Sequence, residues 1–349
     1  MKSPDSTATL HRKLRDILRG EIFTGAIRDG ATLPPERDLA TSYNMSRVTV
    51  RKTLGLLAAE NILSREQGRG TIHRARTGGF STDMARIAVV APATSPFFAA
   101  FVRHFAALTE KNGSLVIFQP SDGDPASRPE DILFRLLLRD IRNFILWPRG
   151  ESVDTSALGR IRGLGANIVL FDRVISPAAA DCVSVDNADA IATLLEYLRG
   201  RKRKDITYVG WDRFPVSSNL EREAAFRRIA GPDGIVRNIP WREERGTDAD
   251  IAALLARLRT GGRMPGAFVG GNGNIGISLA RALRAEPAGA AEIVCVDDLP
   301  GATELNLTVY DQPMERLAAR AYSCLVDQNR KVGAWRPRTF RLKGTLIRR

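Results

Sequence analysis

The sequence predicts a two-part mixed α/β protein: an N-terminal winged helix-turn-helix followed by a larger, two-lobed α/β module. Three observations predict it. The first 75 residues hold three helical patterns closed by a glycine-tipped hairpin pattern. The remainder alternates short β-rich runs with helical ones over more than 200 residues. The chain has 349 residues, 44% of them hydrophobic and 26% charged, which is enough to bury a core in each of two or three domains and too apolar for wholesale disorder.

The first helix is read from Leu10, Leu14, Ile17, Leu18 and Ile22, whose three- and four-residue spacing makes one apolar stripe from about Thr9 to Thr24, with Gly25 just past its end. A second, short helix opens at Pro34-Pro35-Glu36. Proline suits a first turn because its missing N–H would have no partner there, and Leu39 and Ala40 supply the buried side. Ser46 is placed to cap a third helix running to about Asn61, with Val50, Leu54 and Leu57 as its core stripe. Arg47, Val48, Arg51 and Lys52 fall mostly off that stripe. Ile62-Leu63 and the run from Glu66 to Ile72 then read as a hairpin whose tip is Gly68-Arg69-Gly70.

Two helices joined by a tight turn, the second with arginines on its exposed first turns, can lay a helix N-terminus in a DNA major groove. Arginine suits that task because its planar fork contacts guanine or clamps phosphate, and Arg69 on a hairpin tip could reach a minor groove. An ordinary three-helix bundle with solvated arginines is the competing reading. Residues 1–80 carry 14 basic and 8 acidic side chains, a net +6 against +13 for the whole chain, which does not by itself decide between the two, since a basic surface is often only a solvated one.

Residues 8–74 resemble the DNA-binding domain of GntR-type transcription regulators. The resemblance rests on the Leu-Pro-x-Glu-Arg start of the second helix, the Ser-Arg-x-Thr-x-Arg third helix and the Gly-Arg-Gly-Thr wing, in the correct order and spacing. It implies that Arg37, Ser46, Arg47, Thr49 and Arg51 face the DNA and that Arg69 and Gly70 form the wing tip.

Residues 75–85, rich in Gly, Ser and Thr without periodicity, read as a linker between a domain at 1–74 and one at 86–349. In the second domain, strands are expected at Arg86–Ala91, Leu115–Gln119, Asn143–Leu146, Asn167–Phe171, Ile206–Gly210, Ala267–Gly270 and Glu292–Val296, separated by helical stretches such as Asp189–Arg199, Asp248–Arg259 and Ile275–Leu283. Strict alternation implies parallel sheets covered on both faces. About ten such units exceed one sheet, so two lobes are expected, with a ligand cleft where the carboxyl ends of their strands meet.

The residues just after the strands share a chemistry: Ser95-Pro96-Phe97-Phe98, Asp172-Arg173, Asn272 and Asp297-Asp298. Aromatic faces stack on the C–H face of a sugar while Asp, Asn and Arg engage its hydroxyls. Each residue alone has a structural explanation; their joint occurrence at strand ends points to a ligand. This region, from Arg86 to about Gln328 and on to the C-terminal strands, resembles the LacI-type effector domain, which shares its fold with periplasmic sugar-binding proteins. The matching segments are SPFF at Ser95, FDR at Phe171, VSVDN at Val183, SNLEREAAF at Ser218, GGNGNIG at Gly270, CVDD at Cys295 and YDQP at Tyr310. The resemblance implies effector contacts from Ser95, Phe97, Phe98, Asp172, Arg173, Arg222, Asn272 and Asp297, with Gln312 on a crossover strand at the hinge. It departs at Ser95, where many relatives have Asn, and at Gly273, where they have Asp. A sugar is the expected effector, with a phosphorylated sugar, a polyol or a nucleoside still open, and Trp211 and Phe214 stand in loops that could add a stacking surface.

No stretch approaches the ~18 uncharged apolar residues of a membrane span, and the polar, basic start of the chain lacks an apolar signal core, so a cytoplasmic protein is expected. That also argues against an exported transport protein. Cys182, Cys295 and Cys324 each sit among apolar neighbours and read as buried free thiols, and no histidine lies near them to make a zinc site. The expected function is that of a DNA-binding regulator, a repressor, acting as a homodimer on a roughly palindromic operator and controlled by the effector, with no cofactor. A nucleotide- or sugar-dependent enzyme is the alternative. It rests on Gly271-x-Gly273-x-x-Gly276, which fits the dinucleotide fingerprint after a strand and before a helix, although only Asp297, 21 residues on, could serve as its acidic partner.

Overall fold

The computed structural model describes residues 4–75, 83–93, 96–121, 128–148, 153–175, 178–212, 216–241, 247–262, 264–284, 291–331 and 333–349. The N-terminal part holds α1 (Pro4–Thr24), α2 (Glu36–Ser42), α3 (Arg47–Ala59) and the antiparallel pair β1 (Leu63–Glu66) and β2 (Gly70–His73). Leu14, Leu18 and Ile22 meet Val50, Leu54 and Leu57 in a fully buried core, as the spacing requires. Leu10 is 36% exposed; the buried station in that turn belongs to His11, whose ring bonds the Thr49 carbonyl at 3.2 Å. Gly25 takes φ +84° after α1, and Ser46 caps α3 by accepting from the Thr49 amide at 3.1 Å.

The rest forms two six-stranded sheets of matching order. The first lobe contains β3 (Arg86–Ala91), α4 (Pro96–Lys111), β4 (Leu115–Pro120), α5 (Pro129–Leu137), β5 (Asn143–Leu146), α6 (Thr155–Gly163), β6 (Asn167–Phe171) and β7 (Asp181–Val185). The second contains α7 (Asn187–Gly200), β8 (Ile206–Asp212), α8 (Ser217–Ala230), β9 (Ile235–Pro240), α9 (Asp248–Thr260), β10 (Ala267–Gly270), α10 (Gly273–Leu283), β11 (Glu292–Val296), α11 (Pro300–Glu304) and β12 (Thr308–Asp311). The chain then returns through α12 (Met314–Arg330), which packs on α4, β6 and β7, adds β13 (Thr339–Leu342) beside β7, and ends with β14 (Thr345–Ile347) beside β12. The sheet orders are β4-β3-β5-β6-β7-β13 and β9-β8-β10-β11-β12-β14, parallel except for β14. The strands expected from the sequence are present. β7, β9 and β12 to β14 add to them.

The chain therefore passes between the lobes three times: after β7, after β12, and between β13 and β14. The crossings are laced together. Asp186 N–H donates to Leu342 O at 2.9 Å, Tyr310 O–H donates to Asp189 at 2.7 Å, and Gly344 N–H donates to the Tyr310 hydroxyl at 2.5 Å. Gly344 is required here, since a Cβ would lie 2.7 Å from the Tyr310 ring. No helix among the described residues is long and apolar enough to cross a membrane.

Candidate functional site

The strand ends deliver two aspartates to equivalent places. Asp172 follows β6 and donates its N–H to Val183 O on β7; Asp297 follows β11 and donates its N–H to Tyr310 O on β12, both at 2.8 Å. Both residues take left-handed backbone, φ 67° and 87°, a conformation in which aspartate is tolerated better than bulkier residues. That turn points each carboxylate out of its sheet and into one cavity of about 180 Å³ between the lobes.

The cavity is lined by Phe97, Asp172, Arg173, Arg222, Asn272, Asp297 and Gln312, which brings together seven of the nine expected effector residues. Phe98 is placed otherwise. It follows Phe97 on α4, so it turns about 100° away, and its ring packs against Phe118 on β4 at 4.2 Å. Ser95 and Phe214 lie outside the described residues. The sequence reading overlooked Trp147, just after β5, and Trp241, just after β9, which join Trp211 on the cavity wall. The rule used for the aspartates, that a residue leaving a strand faces the cleft, finds Trp147 after the expected strand β5; Trp241 follows β9, a strand the sequence pattern did not reveal.

The polar groups are fixed before any ligand arrives. Trp147 donates its indole N–H to Asp172 at 3.2 Å, and Arg173 donates to the Pro148 carbonyl. Arg222 is almost wholly buried and donates to Asn187 and to the Gly271 carbonyl, both at 2.8 Å, with Asp297 at 3.8 Å. Asp297 is 1% exposed; Gln312 donates to its Oδ1 at 2.5 Å. Burial pushes its carboxyl above the usual range, more than nearby Arg222 and the Gln312 bond pull it down. A charge held in so dry a place is a charge ready to accept a hydroxyl hydrogen bond.

The glycines of the dinucleotide fingerprint have packing reasons instead. A Cβ on Gly271 would stand 2.5 Å from the Tyr208 hydroxyl, one on Gly273 would stand 2.8 Å from Leu299, and one on Gly276 would stand 2.5 Å from Cys295 Cβ. Asn272, between the first two, caps α10 by accepting from the Ile275 amide at 3.0 Å. Among the described residues no group of His, Cys, Asp and Glu is arranged to hold a metal ion. The three cysteines are buried and unpaired.

On the N-terminal part, Arg37, Arg47, Arg51, Arg69 and Gly70 are all exposed. Glu36 gathers this surface, pairing Arg51 at 2.9 Å and Arg65 at 3.7 Å, while Glu66 holds Arg69 at 2.9 Å. Thr49 departs from expectation. It is 4% exposed, three residues from the cap, where its hydroxyl meets that of Ser46 at 2.8 Å. Ser46 itself is exposed, with its hydroxyl engaged in the cap.

Residues 10–72 match bacterial regulatory proteins of the gntR family, and residues 195–349 match the periplasmic binding protein-like domain. The chain thus combines a segment similar to the gntR family with one similar to periplasmic binding protein-like domains. The arabinose metabolism transcriptional repressor of Geobacillus stearothermophilus is similar along both domains, with 21% identity over 92% of each chain. The HTH-type transcriptional regulator PtxS of Pseudomonas plecoglossicida is 31% identical over 172 residues, 46% of this chain and 48% of its own. The first curated relatives are matched over about half of their length or less. The two-lobed module has the fold of a LacI transcriptional regulator from a Rhodococcus species, with a TM-score of 0.63 and 18% identity, covering 75% of this chain and 96% of that one. These three relatives are transcription regulators.

Proposed function

We propose that this chain is a one-component transcription regulator, a repressor, in which residues 1–74 bind DNA, residues 75–85 connect, and residues 86–349 bind a small sugar that sets operator affinity. The observation that carries the reading is the cavity. It lies between two lobes, each contributing one aspartate, in a chain whose other domain is of the gntR type. Phe97, Asp172, Arg173, Arg222, Asn272, Asp297 and Gln312 are the proposed effector contacts, with Trp147, Trp211 and Trp241 as stacking faces. Arg37, Arg47, Arg51, Arg69 and Gly70 are the proposed DNA contacts, with Ser46 and Thr49 shaping the start of the recognition helix α3.

The charge of the lining favours a neutral ligand. Asp172 and Asp297 balance Arg173 and Arg222 among the described lining residues, and Arg222 is already committed to Asn187 and Gly271. A phosphate needs unbalanced positive charge; an uncharged monosaccharide or polyol needs donors and acceptors in both senses. The volume, below the ~300–1,000 Å³ of drug-sized sites, suits a single ring.

A homodimer on a roughly palindromic operator in the cytoplasm completes the proposal. The exposed edge strand β4, with Leu115 at 64% and Phe118 at 36% exposure, supports a partner along that edge. The test is a thermal-shift screen of pentoses, hexoses, polyols and their phosphates, since a ligand at 100 times its Kd stabilises by ~2.7 kcal/mol. It is paired with footprinting of Arg47→Ala plus Arg51→Ala. Stabilisation by phosphates alone would overturn the neutral-sugar reading, and a normal footprint by the double variant would overturn the recognition-helix assignment.

A further inference from the structure

We infer that the DNA-binding domain is docked onto the first effector lobe as a rigid extension of it, through a built interface at the amino end of that lobe's strands. Three contacts carry this, two at Phe23 and one at Arg19. Phe23, near the end of α1, stacks on Phe134 of α5 with ring centroids 4.3 Å apart and planes 6° from parallel. Arg160 of α6 donates to the Phe23 carbonyl at 2.6 Å. Arg19 of α1, fully buried, is held at 2.5 Å by Glu60, the residue that ends α3, and lies 4.0 Å from Asp140 of the lobe. Arg15 and Arg142 reach both acids from either side, Arg15 at 3.8 and 3.7 Å and Arg142 at 3.5 and 3.9 Å.

Each contact supplies what one side lacks. The last turn of α1 has no basic residue of its own, although the carbonyls at a helix C-terminus call for a cation; Arg160 brings one from 137 residues away. Burial lowers the pKa of Arg19 more than Glu60 restores it. A guanidinium in that position is costly unless paired; Glu60 of the DNA-binding domain supplies one acid, and Asp140 of the lobe, 4.0 Å away, supplies the second. With the lobe removed, the DNA-binding domain would expose an aromatic ring and half of an ion network.

The same lobe elements lead directly to the ligand. Asp140 and Arg142 precede β5, and Trp147 of the cavity follows it, so a four-residue strand, about 13 Å at ~3.3 Å per residue, separates the docked domain from the cleft. Arg160 and the lobe's side of the cleft are likewise joined, since α6 is the next element after Trp147 and Pro148. Rotation of the first lobe as the cleft closes therefore carries the DNA-binding domain with it, without a signal passing along residues 75–85.

The test needs neither operator nor sugar, so it can fail separately from the proposed function. Spin labels are attached to Lys52→Cys and Lys111→Cys in the full chain, whose native cysteines are buried, and the distance between them is measured by pulsed electron resonance. A narrow distribution that broadens in Phe134→Ala plus Arg160→Ala, and to a lesser extent in the milder Arg160→Gln, is the expected result. A broad distribution in the parent, or an unchanged narrow one in both variants, would overturn rigid docking through this interface.

Discussion

Asp297→Asn separates the demands of folding from those of binding. The wild-type carboxyl is 1% exposed and its pKa is raised, chiefly by burial. Between the unfolded value, ~3.9, and the raised native value, the native state binds more protons than the unfolded one. Stability therefore falls as pH rises through that window and stays lower above it. Every tenfold gain in the carboxyl's proton affinity on folding costs the ionised native state ~1.4 kcal/mol. The near-isosteric amide removes this penalty, and Arg222 keeps Asn187 and the Gly271 carbonyl as acceptors. The variant should thus be more stable than wild type at pH 7 and match it near pH 3. It should also lose a charged acceptor for a ligand hydroxyl, worth ~1.5–3 kcal/mol or about 10- to 150-fold in Kd. Denaturant melts between pH 3 and 8 and calorimetric titration with the sugar found by screening measure both. A variant less stable than wild type at pH 7, or one that binds the sugar as tightly, would refute the reasoning.

Three further outcomes are expected. Phe97→Ala should weaken sugar binding while Phe98→Ala leaves it intact, as titration of both variants would show; Phe98→Ala should cost only stability, through its contact with Phe118. Three of the four tryptophans line the cavity and the fourth, Trp335, is buried against Asp181, so a fluorescence change on sugar binding should survive Trp335→Phe and shrink in Trp147→Phe. Gly276→Ala forces a methyl to 2.5 Å from Cys295 Cβ and should destabilise by ~1–3 kcal/mol as an overpacked core does, read from the urea midpoint; an unaffected midpoint would return the glycine to the dinucleotide reading.

How far the sequence carried depends on the range of each cause. The α1 and α3 core stripes, the Ser46 cap and the alternation of strands with helices are local patterns, and they were legible to within a few residues. Asp172, Asn272 and Asp297 were legible because the end of a parallel strand has a fixed meaning. Phe98 was misplaced because two neighbouring residues on a helix cannot face the same cavity, and Thr49 because a cap draws the third residue after it inward. Arg19 was not legible at all. Its spacing is that of an ordinary helix position, and its burial depends on Asp140 and Arg142, brought close only when the two domains meet.

In the proposed function, the two aspartates, at the same station of two similarly ordered sheets, make the cleft a bivalent clamp. A ring that has reached Asp172 on one lobe meets Asp297 on the other as an intramolecular event, at an effective concentration on the order of millimolar or above. Neither half alone need bind well. Affinity then becomes a measure of how closed the two jaws are, and a ligand offering hydroxyls at one end only would occupy the protein without shutting it. Such half-ligands should bind as competitors of the true effector and leave the operator complex unmoved.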